Sequence, residues 1–200
     1  YRTKVIMLRP FCNIRIGDFE FDYVHELEVD SSWDTLTDTC VIKLPRKLAF
    51  NGKSVKDLLR VGDAVTVTCN YNEQPGLPTF QGYVARVLPN IPLVLECEDA
   101  MWLLKRNSVT VSLKNASLRD VLTAILPAGF VMGEVESFLI GNFRATKVSA
   151  AKVLDFLRKE YGVVSYIKSG TLYSGLAYKF SGVGEDVEIH LQSDVAGDSN

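Results

Sequence analysis

The spacing of apolar residues changes after Cys97, and this change constrains the fold more than any other feature of the sequence. Before it, apolar residues alternate with polar ones or form short β-rich runs, the pattern of strands in a sheet. These runs cover residues 4–8, 12–16, 19–29, 39–44, 64–71, 80–88 and 93–97. About six or seven short antiparallel strands predict a closed or nearly closed β-barrel, because closure leaves no exposed strand edge. One short helix is expected within this region, over residues 54–59.

Two of the strand runs form a ribbon with more apolar surface than one core requires. In residues 64–71 the apolar side chains share one face, whereas in residues 80–87 they occupy both faces. A second surface is therefore expected to cover the ribbon, and a neighbouring subunit is one candidate. The residues predicted to form a subunit interface are Tyr71, Phe80, Tyr83 and Trp33.

The acidic residues Glu96, Glu98 and Asp99 have two explanations. On a strand, Glu96 and Glu98 point to the same face, as paired carboxylates do in sugar hydrolysis. They also precede an apolar run that ends at Lys105-Arg106, and this order of charges complements a helix dipole. We therefore predict a short helix here and no catalytic residues. The segment Asp30 to Asp34 around Trp33 is predicted to be a turn.

Two further helices are predicted, and each begins at a serine. Ser117 precedes an apolar stripe at helical spacing that stops before Pro127. Ser149 precedes a second stripe that ends at Gly162, a favourable residue for a helix C-terminus. Alignment of the two serines superimposes apolar residues of the two stripes, so the units resemble a duplication of helix and strand. The second stripe is formed by Val153, Leu154, Leu157 and Tyr161. A hairpin over residues 163–173 follows.

The predicted fold class is α+β, with three parts. Residues 1–97 form the tube-like β-barrel domain, and residues 98–175 form a small α/β domain. Alternation resumes from residue 176, so residues 176–200 are expected to begin a further β domain that is cut short.

Composition excludes several classes of function. The chain of 200 residues is 47% hydrophobic with a net charge of −2, and it lacks the basic stripe that sequence-specific nucleic-acid binding requires. No apolar run has the ~20 residues of a membrane-spanning helix, so membrane insertion by this segment is not expected. The four cysteines are widely spaced and are expected to be free thiols. No motif indicates a metal, a cofactor or an enzyme.

The order of short motifs resembles the tail hub proteins of contractile-tailed phages, the late control D family, and the related hub part of type VI secretion spikes. The motifs are Ser32-Trp33, Leu44-Pro45, Val61-Gly62-Asp63-Ala64-Val65, Phe80-Gln81-Gly82-Tyr83-Val84, residues 95–104, Tyr178-Lys179-Phe180 and Val187-Glu188-Ile189. The resemblance covers most of the chain and depends on the ordered series. It implies that residues 1–97 are the first tube-like β-barrel and that the last two motifs, in residues 176–200, open a second β-barrel.

The resemblance implies a structural protein of a tail baseplate hub. Such proteins are trimers whose paired barrels form a pseudo-hexameric ring, which adapts the hexameric tail tube to a trimeric spike. It also implies a homotrimer for the full-length protein, tail tube and spike proteins as partners, and a place in the virion tail after assembly in the bacterial cytoplasm.

Two alternatives stay open at this point. The helix and strand units at Ser117 and Ser149 also look like ring-forming modules of bacterial envelope secretion and signalling proteins, although those do not normally follow a barrel. A tail-associated scaffold for a cell-wall hydrolase is the second alternative. In that case the catalytic residues are expected outside this segment.

Overall fold

A computed structural model describes residues 10–32, 35–45, 49–50, 53–54, 58–71, 78–89, 91–168 and 170–176. The strands before the first helix are β1 (Pro10–Ile16), β2 (Phe19–Phe21), β3 (Glu26–Asp30), β4 (Thr39–Leu44), β5 (Ala49–Phe50), β6 (Lys53–Ser54), β7 (Ala64–Tyr71), β8 (Phe80–Leu88) and β9 (Leu93–Glu98). The elements that follow are α1 (Met101–Arg106), β10 (Ser108–Ser117), α2 (Leu118–Ile125), β11 (Val131–Val135), β12 (Leu139–Ser149), α3 (Ala150–Tyr161), β13 (Val163–Lys168) and β14 (Thr171–Leu176).

Seven strands of the first region form one curled antiparallel sheet, a half-barrel. Their order is β2-β1-β7-β8-β9-β4-β3. Alternate residues face the concave side, which explains the two-residue period of the sequence. Ile42 and Leu44 on β4 and Val67 on β7 are fully buried there. These side chains belong to one hydrophobic cluster, and its buried members all lie between residues 14 and 97.

Three sequence predictions for the first region differ from the structure. Ser54 lies in strand β6, and residues 58–59 are not helical, so the described ends of the predicted helix over residues 54–59 contradict it. The predicted run over residues 19–29 is two separate strands, β2 and β3, at opposite edges of the sheet. Asp30 is the last residue of β3 and not part of a turn. The predicted strand over residues 4–8 and the predicted second barrel after residue 176 lie outside the described residues.

A second hydrophobic cluster fills the region after Glu98. Its buried members run from Met101 to Leu172 and include side chains from all three helices. Strands β10 and β12 pair antiparallel, while β14 lies between β13, which is antiparallel to it, and β11, which is parallel. The predicted helices and the hairpin are therefore confirmed. Within the described part of the chain, no helix is both long and apolar enough to cross a membrane.

The helix ends follow the local chemistry of the sequence. Ser117 accepts a hydrogen bond from the backbone N–H of Asp120, and the Asp120 carboxylate accepts one from the backbone N–H of Ser117, a reciprocal capping box. Ser149 caps α3 through the backbone N–H of Lys152. Gly162 ends α3 with φ of 67°, a left-handed conformation that costs glycine little.

Candidate assembly surface

The sheet meets the first helix at Gly82, where two strands approach unusually closely. A Cβ atom at residue 82 would overlap the carbonyl of Glu98, lying 2.7 Å from its carbon and 2.9 Å from the Cα atom of Asp99. Only glycine fits between β8 and the end of β9 at this point. A register shift follows between Val84 and Arg86, so β8 bends just after Tyr83. Gly82 therefore determines how Tyr83 is presented on the outer face of the sheet.

On this face Tyr83 packs against a side chain of helix α1. Its ring stacks on the indole of Trp102 in α1, with ring centroids 5.5 Å apart and planes inclined by 18°. The guanidinium of Arg106 lies 3.8 Å from the centre of the same indole, a cation–π contact. We call Tyr83, Trp102 and Arg106 the junction stack. A helix of the same chain thus supplies part of the second surface that the two-sided ribbon requires.

The Trp102 side chain is held against a turn of the sheet. A Cβ atom at Gly62 would lie 3.3 Å from the end of the indole ring, so this turn packs directly beneath it. The indole N–H of Trp102 is buried and has no hydrogen-bond partner among the described residues. A buried donor without an acceptor costs ~1–3 kcal/mol. The junction stack is therefore well packed, but one of its hydrogen-bond donors has no acceptor among the described residues of the isolated chain.

The acidic residues beside the junction stack form ion pairs with neighbouring basic residues. The Glu98 carboxylate accepts a hydrogen bond of 2.7 Å from Lys105, and Glu96 lies 3.3 Å from Arg86. Each carboxylate is thus paired with a cation of the same chain, as expected of charges with a structural role. The described residues contain no group of three or more His, Cys, Asp or Glu side chains that could hold a metal ion.

Asp99 is the one buried carboxylate at this junction among the described residues. It accepts a hydrogen bond of 3.0 Å from the backbone N–H of Met101, which fixes the start of α1. Burial raises the pKa of Asp99 to about 6, although the hydrogen bonds from the backbone of Met101 and Asp38 act in the opposite direction. Asp99 lies two residues before the first residue of α1, and its bond to the Met101 N–H makes it a structural residue of the junction.

The four residues predicted for a subunit interface differ in location and burial. Tyr83 is half-buried in the junction stack. Phe80 is only 5% exposed and belongs to the core of the half-barrel, so it offers little surface to a neighbour. Tyr71 ends β7, where its backbone pairs with Pro10, and Trp33 lies outside the described residues. No interface contact of these residues is tested by the isolated chain, and their role stays a prediction.

Sequence reasoning missed an aromatic row on the outer side of α3. Phe156 is 44% exposed, and Tyr161, which the predicted stripe placed with the buried residues, is 37% exposed. Their rings lie 6.2 Å apart, and Tyr161 also contacts Phe138 at 6.3 Å. When the two capped helices are aligned at their serines, Phe156 lies at the position of Ala124. This large aromatic residue in place of alanine is the sequence feature that marks the aromatic row.

Comparison with known proteins identifies the fold. No protein-family model and no curated protein sequence matches this chain. A solved structure of a 43 kDa tail protein from prophage MuSo2 of Shewanella oneidensis matches it with a TM-score of 0.62 and 15% identity, over 86% of this chain and 56% of that one. A tail protein from Neisseria meningitidis MC58 matches with a TM-score of 0.59 and 16% identity, over 83% of this chain and 50% of that one.

A third similar structure comes from a protein complex. A chain of a lidless PdpA–VgrG complex matches with a TM-score of 0.54 and 14% identity, covering 84% of this chain and 35% of that one. The present chain therefore spans about half the length of the two tail proteins and less of the third. The similarity confirms what the ordered motifs predicted: this chain has the fold of prophage tail proteins.

Proposed function

We propose that this chain is a structural protein of a phage or prophage tail, located in the baseplate hub of the virion, and that it has no catalytic activity. The observation that carries the proposal is the shared fold, which extends over 83–86% of the chain in two tail proteins, one of them from a prophage. Fold similarity alone does not determine function, so the specific role must come from how the molecule assembles.

In this role the half-barrel is the first of two tube-like barrels. We assign residues 1–97 to the first barrel, residues 98–175 to a small α/β domain and residues 176–200 to the start of a second barrel. The separate hydrophobic clusters on either side of Glu98 support the first boundary. Two barrels from each of three subunits would form a ring with six similar positions, which matches a hexameric tube to a trimeric spike.

The junction stack is the surface that we assign to the neighbouring subunit. Aromatic and arginine side chains are frequent anchors of protein interfaces, and the stack contains both types. Its unsatisfied Trp102 N–H also supports the assignment, because a rearrangement on assembly could give this donor an acceptor. The adjacent ion pairs Glu98–Lys105 and Arg86–Glu96 would form a polar rim around the aromatic centre.

A pair of matched substitutions in the full-length protein tests this assignment. Tyr83→Asp and Tyr166→Asp each disrupt a stacked aromatic pair, since Tyr166 stacks on Tyr173 with centroids 5.1 Å apart. Each loss of stacking is expected to cost ~0.5–1.5 kcal/mol of stability. Light scattering should show a trimer for the wild type and Tyr166→Asp, but a monomer for Tyr83→Asp with a comparable unfolding temperature.

Other outcomes separate the parts of the proposal. A wild-type protein that stays monomeric at all concentrations, alone and with tail tube and spike proteins, would contradict the hub function. A Tyr83→Asp trimer would instead contradict only the choice of surface. Negative-stain images of the wild-type trimer should show a ring with six similar densities.

A secretion spike is the second candidate, and the similarity to the PdpA–VgrG complex favours it. In both candidate functions the protein forms a trimer that binds a spike. The candidates differ in the tube protein that the ring contacts. Co-purification of the full-length protein with a phage tail tube protein supports the first, whereas co-purification with a type VI secretion tube protein supports the second.

A further inference from the structure

The cysteines form two pairs across neighbouring strands of the half-barrel. Cys12 on β1 lies directly opposite Cys69 on β7, and Cys40 on β4 lies directly opposite Cys97 on β9. None of the four is in a disulfide in this structure, and Cys12 and Cys69 are partly exposed whereas Cys40 and Cys97 are buried. The two pairs also differ in geometry, and these differences favour reaction at only one of them.

The Cys12 and Cys69 side chains are in contact, with their Sγ atoms 3.6 Å apart. The backbone N–H of Cys69 points away from β1, since it donates a hydrogen bond of 3.0 Å to Thr79. Cys12 and Cys69 are therefore a non-hydrogen-bonded pair of the β1–β7 ladder, in which Cα atoms are only ~4.5 Å apart. This separation lies within the range of disulfides, so the pair can bridge without moving the strands.

Cys40 and Cys97 occupy the other kind of position in an antiparallel ladder, a hydrogen-bonded pair. The backbone N–H of Asp99 donates a hydrogen bond of 3.0 Å to the carbonyl of Asp38, two residues from Cys97 and Cys40 respectively. Because hydrogen-bonded and non-hydrogen-bonded pairs alternate, Cys40 and Cys97 are a hydrogen-bonded pair with Cα atoms ~5.5 Å apart. They are 0% and 1% exposed, and burial raises the pKa of both thiols.

Each pair lines a cavity, but the two pairs differ in how far their side chains are exposed. A cavity of about 370 Å³ is lined by both Cys12 and Cys69, together with Tyr23 and Val24. Tyr23 at its margin is 66% exposed, and the two cysteines themselves are half-buried. Cys40 and Cys97 line a second cavity of about 410 Å³, but they are 0% and 1% exposed. A molecule as small as a peroxide is therefore expected to reach the half-buried Cys12–Cys69 pair more readily.

We propose that Cys12 and Cys69 are an oxidation site, a dithiol that a peroxide closes to a disulfide between β1 and β7. One thiol loses its proton and attacks a peroxide oxygen; the O–O bond breaks, water leaves, and a sulfenic acid forms. The sulfur of the other thiol then attacks the sulfenic sulfur, the S–O bond breaks, and a second water carries away the remaining proton. The two thiols lose two hydrogens, and the peroxide is reduced to two waters.

The reaction is expected to be slow near neutral pH. Burial and the hydrogen bond with Cys69 raise the pKa of Cys12 to about 12, so little of the reactive thiolate is present. The pair is thus stable as two thiols in a reducing compartment and closes only on long exposure to oxidant. This reactivity depends on the two thiols alone and not on the tail function proposed above.

Peptide mapping of the full chain after treatment with hydrogen peroxide tests the proposal. The protein is oxidised while folded, quenched, alkylated in denaturant and digested, and its peptides are identified by mass spectrometry. We expect a linked pair of peptides containing Cys12 and Cys69, with Cys40 and Cys97 alkylated. The link closes across 57 positions, so the unfolding temperature should rise by about 5–10 °C and return on addition of dithiothreitol.

Variants and alternative products decide the outcome. Cys12→Ser and Cys69→Ser should each abolish the loss of two hydrogens, whereas Cys97→Ala should retain the Cys12–Cys69 link. The map of the wild type is decisive even where Cys97→Ala fails to fold. A Cys40–Cys97 link, an intermolecular link, unlinked sulfinic acid at Cys12 or four unmodified thiols would each overturn the proposal.

Discussion

The two capped helices begin in the same way. In each, a serine side chain accepts a hydrogen bond from the backbone N–H three residues later, over 3.2 Å at Ser117 and 3.3 Å at Ser149. Two residues before each cap, the backbone adopts a left-handed conformation, with φ of 49° at Asn115 and 50° at Lys147. Each helix also follows a long strand, and the two strands pair with one another. The duplication predicted from the sequence therefore extends to the backbone.

Away from the buried face the two units differ. The third helical position is Asp120 in α2 and Lys152 in α3, so only α2 has a capping box. The outer side of α2 carries Ala124 where α3 carries Phe156. Burial requires apolar side chains at the inner positions of both helices, whereas solvent leaves the outer positions free to differ. The aromatic row on α3 is thus a property of one unit and not of the repeat.

The largest effects are expected from the matched buried leucines of the two helices. Leu122 in α2 and Leu154 in α3 are both 0% exposed in the same core. Leu122→Ala and Leu154→Ala should each lower the free energy of unfolding by ~2–5 kcal/mol, through lost burial and a cavity. Urea denaturation measures both losses. Leu139→Ala is the control, because Leu139 is 68% exposed and its removal should cost ~0.5 kcal/mol or less. A loss at only one helix would show that the two units are not equivalent in the core.

Loss of the capping serine should destabilise the two helices by different amounts. Ser117→Ala removes both a cap for the Asp120 N–H and a hydrogen bond to the Asp120 carboxylate, whereas Ser149→Ala removes only the cap for Lys152. We expect a loss of ~1–2 kcal/mol at Ser117 and ~0.5–1 kcal/mol at Ser149. The same denaturation curves measure the difference. Equal losses, or a larger loss at Ser149, would mean that the hydrogen bond from the Ser117 hydroxyl to the Asp120 carboxylate adds nothing.

The capping box also makes the start of α2 sensitive to pH. Hydrogen bonds from the Ser117 side chain and backbone hold the pKa of Asp120 below its usual value of 3.8. A lowered carboxyl pKa gives stability that is present above pH 3.8 and is lost as pH falls through the folded-state value. Asp120→Asn should therefore be less stable than the wild type at pH 7, and the deficit should shrink below about pH 4. The α3 cap, with Lys152 at this position, provides a control: Lys152→Gln should show no such change between pH 7 and pH 3.

The smallest effect is expected from giving α3 the missing half of its capping box. Lys152→Glu places a carboxylate three residues after Ser149 and near the positive end of the helix dipole. We expect a gain of about 0.3–1 kcal/mol at low salt, with a smaller gain for Lys152→Ala, which only removes the positive charge. Thermal unfolding at two salt concentrations measures both. A destabilised Lys152→Glu protein would show that the two helix starts differ beyond this side chain.

Much of the local structure could be predicted because its causes lie within a few residues. The bounds of β4, β7 and β8 coincide with the predicted runs at 39–44, 64–71 and 80–88, and the serine caps of α2 and α3 lie where the sequence placed them. The short helix over residues 54–59 was wrong at its described ends, since a capping serine and an apolar run do not exclude a strand. Tyr161 was assigned to the buried face because periodicity alone does not show where α3 leaves the core.

The sequence by itself determined the bounds of strands β4, β7 and β8 and the starts of helices α2 and α3. Only the tertiary structure decided which strands are neighbours: β1 lies beside β7, and β4 lies between β9 and β3. A two-residue period assigns a side chain to a face, but it does not identify the partner strand, which comes from residues tens of positions away. For this reason the close approach at Gly82, the cover of Tyr83 by Trp102 and the contact of Cys12 with Cys69 could be found only in the folded chain.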